Sequence, residues 1–134
     1  MFTCGTRASD PVTQAAIVSI VEDDDAVREA LESLIRAKGW AVLSFDSADA
    51  FLDSGTIDQT RFLISDVSMK GMSGIEMHAK LIAQGYSLPT IFITAYPNPQ
   101  DEATALANGA IAYLEKPVGS NAILASIQQA MGKT

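Results

Sequence analysis

The sequence has little of what marks a secreted, disulfide-bonded or membrane protein. It contains a single cysteine, Cys4, which cannot form a disulfide within the chain. The polar residues around Cys4 lack the basic region and the apolar region of a signal peptide. The longest apolar runs have the length of β-strands, which is too short to span a membrane. These absences predict a cytoplasmic protein that does not enter a membrane.

Basic residues are also few, and they are not clustered. Nine Lys and Arg stand against 16 Asp and Glu, which gives a formal net charge of -7. Because nucleic-acid binding depends on grouped Lys and Arg that displace counterions from phosphates, this balance argues against direct nucleic-acid binding. The hydrophobic fraction of 48% and the length of 134 residues instead fit one soluble globular domain.

The first 15 residues show neither the periodicity of a helix nor that of a strand. They include Ser9, Asp10 and Pro11, a combination that favours turns and loops. We therefore predict a flexible leader over residues 1–15 and a single domain over residues 16–134.

Five short apolar runs follow the leader, and each has the length of a strand. Most are continuous rather than alternating, which is typical of strands that are covered on both faces of a parallel sheet. The predicted strands are IVSIV (17–21), AVLSF (41–45), RFLIS (61–65), TIFIT (90–94) and IAYL (111–114). The segments between and after them predict helices over 25–38, from 47 to before 55, and over 74–84, 99–108 and 120–131.

This regular alternation of strands and helices predicts an α/β fold. Five strand-helix units with right-handed crossovers give a doubly wound sheet of five parallel strands with helices on both faces. We assign it the flavodoxin-like strand order 2-1-3-4-5. In such sheets the ligand crevice lies outside the carboxyl ends of the strands. Candidate functional residues are therefore those at or directly after strand ends.

Charged and hydroxyl side chains stand at four of the five predicted strand ends. The first strand is followed by Glu22 and Asp23, and the third by Asp66. The fourth strand ends in Thr94, and Lys116 follows the fifth closely. In the predicted strand order, these residues gather at one edge of the sheet.

The acids after the first strand have a second explanation, because acidic side chains stabilise helix N-termini and Asp25 is a candidate N-cap. That explanation does not cover Asp66. A second carboxylate at about 4 Å would repel it by roughly 4 kcal/mol at an effective dielectric constant of about 20. Lys116 supplies one compensating charge, and clustered carboxylates without His or Cys are the ligands that Mg²⁺ prefers. A carboxylate beside a metal, an ammonium and a hydroxyl has the parts that phosphoryl transfer needs.

Four segments carry a resemblance to a known family. They are SIVEDDDAVREAL, FLISDVSMKGMSGIEM, IFITAY and YLEKPV, and each includes the end of a predicted strand. In this order they resemble the receiver domain of bacterial two-component response regulators over residues 17–131, most closely the nitrogen-fixation type of receiver. Full-length members of that type carry a DNA-binding domain downstream, which implies transcription regulation as the output.

The resemblance implies the chemistry at the centre of the site. Asp66 would be the phosphoacceptor, and it would take a phosphoryl group from a sensor histidine kinase or from a small donor such as acetyl phosphate. Thr94 and Lys116 would hold the phosphoryl oxygens, and the peptide bond between Lys116 and Pro117 would be cis. The domain would phosphorylate and dephosphorylate itself as a signal and would not be a turnover enzyme.

The resemblance also implies a set of Mg²⁺ ligands. Asp23 and Asp66 would bind the ion directly, Glu22 would bind it through water, and Ser68 would offer its backbone carbonyl. Two residues depart from the usual pattern of the family. Glu22 replaces the commoner Asp, and Lys70 stands where proline is usual, which puts the rigidity of the loop after Asp66 in question.

A conformational switch is implied as well. On phosphorylation the Thr94 hydroxyl would move toward Asp66, and the ring of Tyr113 would turn inward into the vacated space. The surface formed by the fourth helix, the fifth strand and the fifth helix would then favour a partner, with a second copy of the chain as one candidate. The phosphate would act by stabilising one of two existing states.

Two other functions compete with a phosphorylated receiver. One is a phosphatase or phosphotransferase that uses Asp66 as a turnover nucleophile, but enzymes of the haloacid-dehalogenase type need a second Asp two residues later, where this chain has Ser68. The other is a receiver-like module that binds proteins independently of phosphorylation. Uptake of a phosphoryl group on Asp66 separates these functions.

Overall fold

A computed structural model of the chain describes residues 17–131. The predicted leader over residues 1–15 therefore lies outside the described residues, and so do residues 132–134. Within the described part, no helix combines the length and the apolar character that a membrane crossing requires.

The five strands form one sheet in which every neighbouring pair is parallel. Its order is β2-β1-β3-β4-β5, which confirms the predicted topology. The strands are β1 (Ile17–Val21), β2 (Ala41–Phe45), β3 (Thr60–Asp66), β4 (Thr90–Thr94) and β5 (Ala112–Glu115). Three match the prediction to the residue, β3 is longer by one residue at each end, and β5 begins and ends one residue later.

Helices cover both faces of this sheet, as predicted. They are α1 (Asp25–Ala37), α2 (Ala48–Leu52), α3 (Gly74–Ala83), α4 (Pro99–Ala107) and α5 (Ser120–Met131). Apolar residues of α1 and α5 share one core cluster with β1, β3 and β4, whereas α2, α3 and α4 contribute to two clusters around residues of β1, β3 and β4. A 3-10 helix at Ile57–Gln59, which precedes β3, was not predicted.

The strands differ in how completely they are covered. The residues of β4 are all buried, whereas all five residues of β2 are only half-buried. In β5, likewise, no residue is fully buried. The prediction of full cover on both faces is therefore wrong for β2 and β5, because these strands lie at the two edges of the sheet and have a neighbour on one side only.

The helix starts are fixed by polar caps. Asp24, rather than Asp25, is the N-cap of α1, because its carboxylate accepts a hydrogen bond from the Val27 N–H at 3.1 Å. Ser73 and Glu76 form a reciprocal capping box at the start of α3. The side chain of Asn98 caps α4 by accepting from two backbone N–H groups. Each cap follows a loop at the carboxyl edge of the sheet, so these caps also determine where the loops run.

Candidate functional site

The carboxyl edge of the sheet brings the predicted site residues together. Glu22 and Asp23 follow β1, Asp66 ends β3, Thr94 ends β4 and Lys116 follows β5. These four strands are consecutive neighbours in the sheet, so their ends lie side by side. The backbone maintains this order, since the Val67 N–H donates to the Ile93 carbonyl at 3.1 Å and the Lys116 N–H donates to the Thr94 carbonyl at 2.8 Å.

Three carboxylates form the centre of the site. Glu22, Asp23 and Asp66 each offer an oxygen within 4.8 Å of the others. Glu22 is fully buried and Asp66 is 4% exposed, whereas Asp23 is open to solvent. The cluster is therefore a pocket of buried negative charge that solvent reaches on the Asp23 side.

Lys116 neutralises part of this charge. Its ammonium Nζ lies 2.9 Å from Glu22 Oε1 and 3.4 Å from Asp66 Oδ2, and the Lys116-Pro117 peptide bond is cis. Burial lowers the pKa of Lys116, but its contacts with Glu22 and Asp66 outweigh that effect and raise the pKa above its ordinary value. Lys116 therefore stays charged between the two buried acids.

Two hydrogen bonds hold Glu22 in place within the cluster. Its Oε2 accepts from the Asp24 N–H at 3.0 Å, and its backbone carbonyl accepts from Arg28 Nη1 at 2.9 Å. Burial raises the pKa of Glu22, and the contacts with Lys116 and with the Asp24 N–H only partly offset that effect. One ammonium is thus insufficient to offset the cost of ionising this buried carboxyl group beside Asp66.

The donor set fits a hard divalent cation. It consists of carboxylates without His or Cys, and the buried Glu22 Oε1 has no polar partner except Lys116 within residues 17–131. Mg²⁺ prefers oxygen ligands, and one oxygen from each of the three carboxylates already lies within 4.8 Å of the others. The residues are therefore suited to Mg²⁺, which removes the excess negative charge when it is bound.

Two hydroxyl groups anchor the loop that connects β4 to α4. The Oγ1 of the buried Thr94 accepts from the Tyr96 N–H at 3.0 Å. The hydroxyl of the half-buried Tyr113, on β5, accepts from the Asn98 N–H at 3.1 Å. Both predicted switch residues therefore hold the same loop, each through a hydrogen bond to a backbone N–H of that loop.

Ser68 lies beside the carboxylates on the loop between β3 and α3. It is exposed, and it lines a cavity of about 560 Å³ together with Asp23. This position is close to the cluster, but the predicted role of the Ser68 carbonyl as a metal ligand stays a prediction.

Gly74 and Ser65 are positioning residues that the sequence reasoning missed. The Gly74 N–H donates to the Val67 carbonyl at 3.0 Å, and Ser65 Oγ donates to the Asp66 carbonyl at 2.8 Å. A Cβ atom on Gly74 would lie 2.2 Å from that Asp66 carbonyl oxygen. The sequence feature that could have revealed Gly74 is its position directly after the Ser73 cap, where a good helix former is expected. A glycine at such a position indicates that another part of the backbone approaches closely.

Comparison with known proteins decides the family of this chain. A family model described as the response regulator receiver domain matches residues 18–128. This chain belongs to the response regulator receiver domain family. Its fold, with five parallel strands in the order β2-β1-β3-β4-β5, is the one found in solved receivers.

Curated relatives of this receiver domain are response regulators. The transcriptional regulatory protein FixJ of Azorhizobium caulinodans is 37% identical over 117 residues, which cover 87% of this chain and 56% of that protein. The response regulator protein TodT of Pseudomonas putida is 33% identical over 130 residues, with 97% and 57% coverage. The chain thus spans little more than half the length of these relatives.

Solved structures give the same result. The crystal structure of FixJ-N matches with a TM-score of 0.78 and 31% identity, and the match covers 91% of this chain and 98% of that one. The response regulator StyR matches with a TM-score of 0.82 and 38% identity, with 89% and 60% coverage. Each match therefore covers about nine-tenths of this chain.

Proposed function

We propose that this receiver domain accepts a phosphoryl group on Asp66 in a Mg²⁺-dependent reaction, with a sensor histidine kinase as the donor protein. The observation that carries the proposal is the contact of Asp66 Oδ2 with Lys116 Nζ at 3.4 Å inside a cluster of three carboxylates. A purely structural ion pair would need only one acid for one base. Here the buried carboxylates of Glu22 and Asp66 share the single ammonium of Lys116, and this excess of negative charge indicates a site for a cation and a phosphoryl group.

Each residue then has a defined task. The Asp66 carboxylate attacks phosphorus in line with the departing group, and Lys116 and Thr94 bind the equatorial oxygens. Asp23, Asp66 and the Ser68 carbonyl would hold Mg²⁺ directly, and Glu22 would hold it through water. The ion neutralises charge on the phosphoryl oxygens when it is bound.

Phosphorylation also drives the switch. When the Thr94 hydroxyl turns to the phosphoryl group, it loses the hydrogen bond from the Tyr96 N–H. When the ring of Tyr113 turns inward, its hydroxyl loses the hydrogen bond from the Asn98 N–H. The helix behind this loop is weakly anchored, because Ala105 is the only buried residue of α4. The surface of α4, β5 and α5 changes shape and favours a partner or a second copy of the chain.

The proposal extends to the cellular setting of the domain. It would act in the cytoplasm as a signalling element and not as a turnover enzyme, and its output would be the control of transcription, because the FixJ relative is a transcriptional regulatory protein. The second candidate, a phosphorylation-independent binding module, lacks support from the site, because Glu22, Asp23, Asp66, Thr94 and Lys116 are all competent side chains.

Incubation with acetyl phosphate and Mg²⁺ tests the proposal. We expect intact-protein mass spectrometry to show one added phosphoryl group, and we expect Asp66→Asn to show none because an amide is not a nucleophile at this site. Beryllofluoride should likewise bind the wild-type protein and not the variant. If the wild-type protein takes up neither reagent, the phosphoacceptor function is wrong and the binding module remains.

Millimolar Mg²⁺ should stabilise the folded domain, because the ion relieves repulsion among carboxylates that only the native state brings together. At ten times its dissociation constant the ion adds about 1.4 kcal/mol, which corresponds to a rise of roughly 5 °C in Tm for a domain of this size. Thermal unfolding with and without Mg²⁺ measures the effect.

The matched variants for this prediction are Asp23→Asn and Asp58→Asn. Asp23→Asn should abolish most of the Mg²⁺-dependent rise in Tm. Asp58 is also exposed, but it lies in the 3-10 helix before β3, at the opposite edge of the sheet, so Asp58→Asn should keep the full rise. An equal response from both variants would contradict the assignment of the ion to the carboxylate cluster.

A further inference from the structure

A cavity of about 560 Å³ opens beside the carboxylate cluster, between the loop after β3 and the first turn of α4. It adjoins the phosphoacceptor site through Asp23 and Ser68. Its other lining residues are Val67, Met69, Lys70, Ser73, Ile75 and Asp101. Lys70 is the only cation of this lining, and two acids, Asp23 and Asp101, face the same space. The other lining residues are uncharged, so Lys70 is the one positive group that a donor entering this cavity meets.

Lys70 is also uncommitted, unlike the other cations around the site. Lys116 contacts Glu22 and Asp66, and Arg28 contacts Asp25 and the Glu22 carbonyl. Lys70 is exposed and makes no ion pair with any residue in the range 17–131. An unpaired ammonium beside an acidic cavity is available to bind an anion.

The backbone around Lys70 is anchored although the loop lacks the usual proline. Met69 and Met72, on either side of it, both pack against the core cluster that contains Phe51 and Met77. Gly71 takes φ 80°, a left-handed conformation that turns the chain toward α3 directly after Lys70. The loop therefore keeps Lys70 at the rim of the cavity.

We propose that Lys70 makes this domain selective for acyl phosphates as direct phosphodonors, by stabilising the carboxylate that departs. The inference rests on the proposed function and names a donor class for it. In an in-line displacement the departing group lies opposite the attacking oxygen, which directs it away from Asp66 and toward solvent. That direction leads past the rim of the site, where Lys70 provides positive charge to the developing anion.

The chemistry of two small donors separates this role from others. With acetyl phosphate, a bond forms between an Asp66 oxygen and phosphorus, the bond from phosphorus to the acyl oxygen breaks, and its electron pair leaves on acetate, which becomes an anion. With phosphoramidate, the phosphorus-nitrogen bond breaks and its electron pair leaves on the protonated nitrogen, which departs as neutral ammonia. A cation at the rim favours the first departure and does not favour the second.

Rates of phosphorylation with both donors at saturating Mg²⁺ test the proposal. Lys70→Met should slow phosphorylation by acetyl phosphate about twofold to fivefold, the size expected for one solvent-exposed charge, and should leave the phosphoramidate rate unchanged or slightly raised. High salt should shrink the difference between wild type and variant. Lys70→Arg keeps the charge and should retain the wild-type ratio of the two rates.

Two controls isolate the departing group. Lys80→Met removes an exposed lysine of α3 that does not line the cavity, and it should leave both rates unchanged. Beryllofluoride has no departing group, so its affinity, measured by thermal unfolding, should be the same for Lys70→Met and the wild type.

The outcomes distinguish this inference from the function on which it rests. Equal changes in both rates would mean that Lys70 acts on loop geometry, and unchanged rates would mean that it does not act at all; either result overturns the proposal and leaves the phosphoacceptor function intact. Failure of the wild-type protein to react with any donor or to bind beryllofluoride would overturn the phosphoacceptor function and this inference together.

Discussion

Replacing Lys116 with methionine is expected to lower the free energy of unfolding of the metal-free protein by about 3 kcal/mol. Lys116 is the only cation in contact with the carboxylates of Glu22 and Asp66 within residues 17–131, at 2.9 and 3.4 Å. Methionine retains the apolar stem but leaves both buried acids without a counter-charge. The loss should be largest above neutral pH and shrink as the pH falls toward 4.5, the ordinary pKa of a glutamate, because a protonated Glu22 needs no partner.

Denaturant unfolding of the metal-free protein measures this loss, and two further variants define its cause. Adding Glu22→Gln to Lys116→Met should recover much of the stability, because a neutral side chain replaces the uncompensated charge. Lys80→Met removes an exposed lysine without an ion pair in the described chain and should change stability by less than about 0.5 kcal/mol. A loss below about 1 kcal/mol at pH 8, or no recovery in the double variant, would show that Lys116 does not compensate the buried acids.

The fold and the location of the site could be predicted from the sequence because both depend on simple patterns. Short, mostly apolar runs of strand length predict β1, β2 and β4 to the residue. The carboxyl ends of parallel strands lie at the same edge of the sheet. The residues that follow these strands therefore come close together, and this does not depend on the details of side-chain packing. The roles of Asp66 and its neighbours were not given by these patterns, and they stay predictions based on the family.

The missed features depend on dihedral angles and on contacts between distant residues. Whether Asp24 or Asp25 caps α1 depends on which residue leaves the helical conformation, and a run of four acidic residues does not distinguish them. The hydrogen bond from the Asn98 N–H to the Tyr113 hydroxyl joins residues 15 positions apart, and no local pattern indicates it. Propensities and periodicity describe neighbours along the chain, whereas these contacts arise only after the sheet has formed.

Gly74→Ala is expected to damage both the stability of the domain and the reactivity of Asp66. The new Cβ would lie 2.2 Å from the Asp66 carbonyl oxygen and 2.7 Å from Ser65 Oγ, whereas ordinary contacts begin at 3.4 Å. Because the nearest atom belongs to the backbone, relief requires β3 and α3 to separate by about 1 Å. Such overpacking costs roughly 2–3 kcal/mol, and a displacement of this size at a reacting group reduces rates by up to about 100-fold.

The two effects can be measured separately. Denaturant unfolding gives the loss of stability, and the rate of phosphorylation by acetyl phosphate, normalised to the folded fraction, gives the loss of reactivity. Gly119→Ala is the matched control, because a Cβ on Gly119 meets nothing within 4 Å. Since Gly119 directly precedes α5, its replacement should cost no more than about 1 kcal/mol of stability and should leave the rate unchanged. If Gly74→Ala lost stability but phosphorylated at the wild-type rate, the glycine would serve only to pack α3 against β3. A parallel loss of rate is expected instead, because the carbonyl that a methyl group would displace belongs to Asp66 itself.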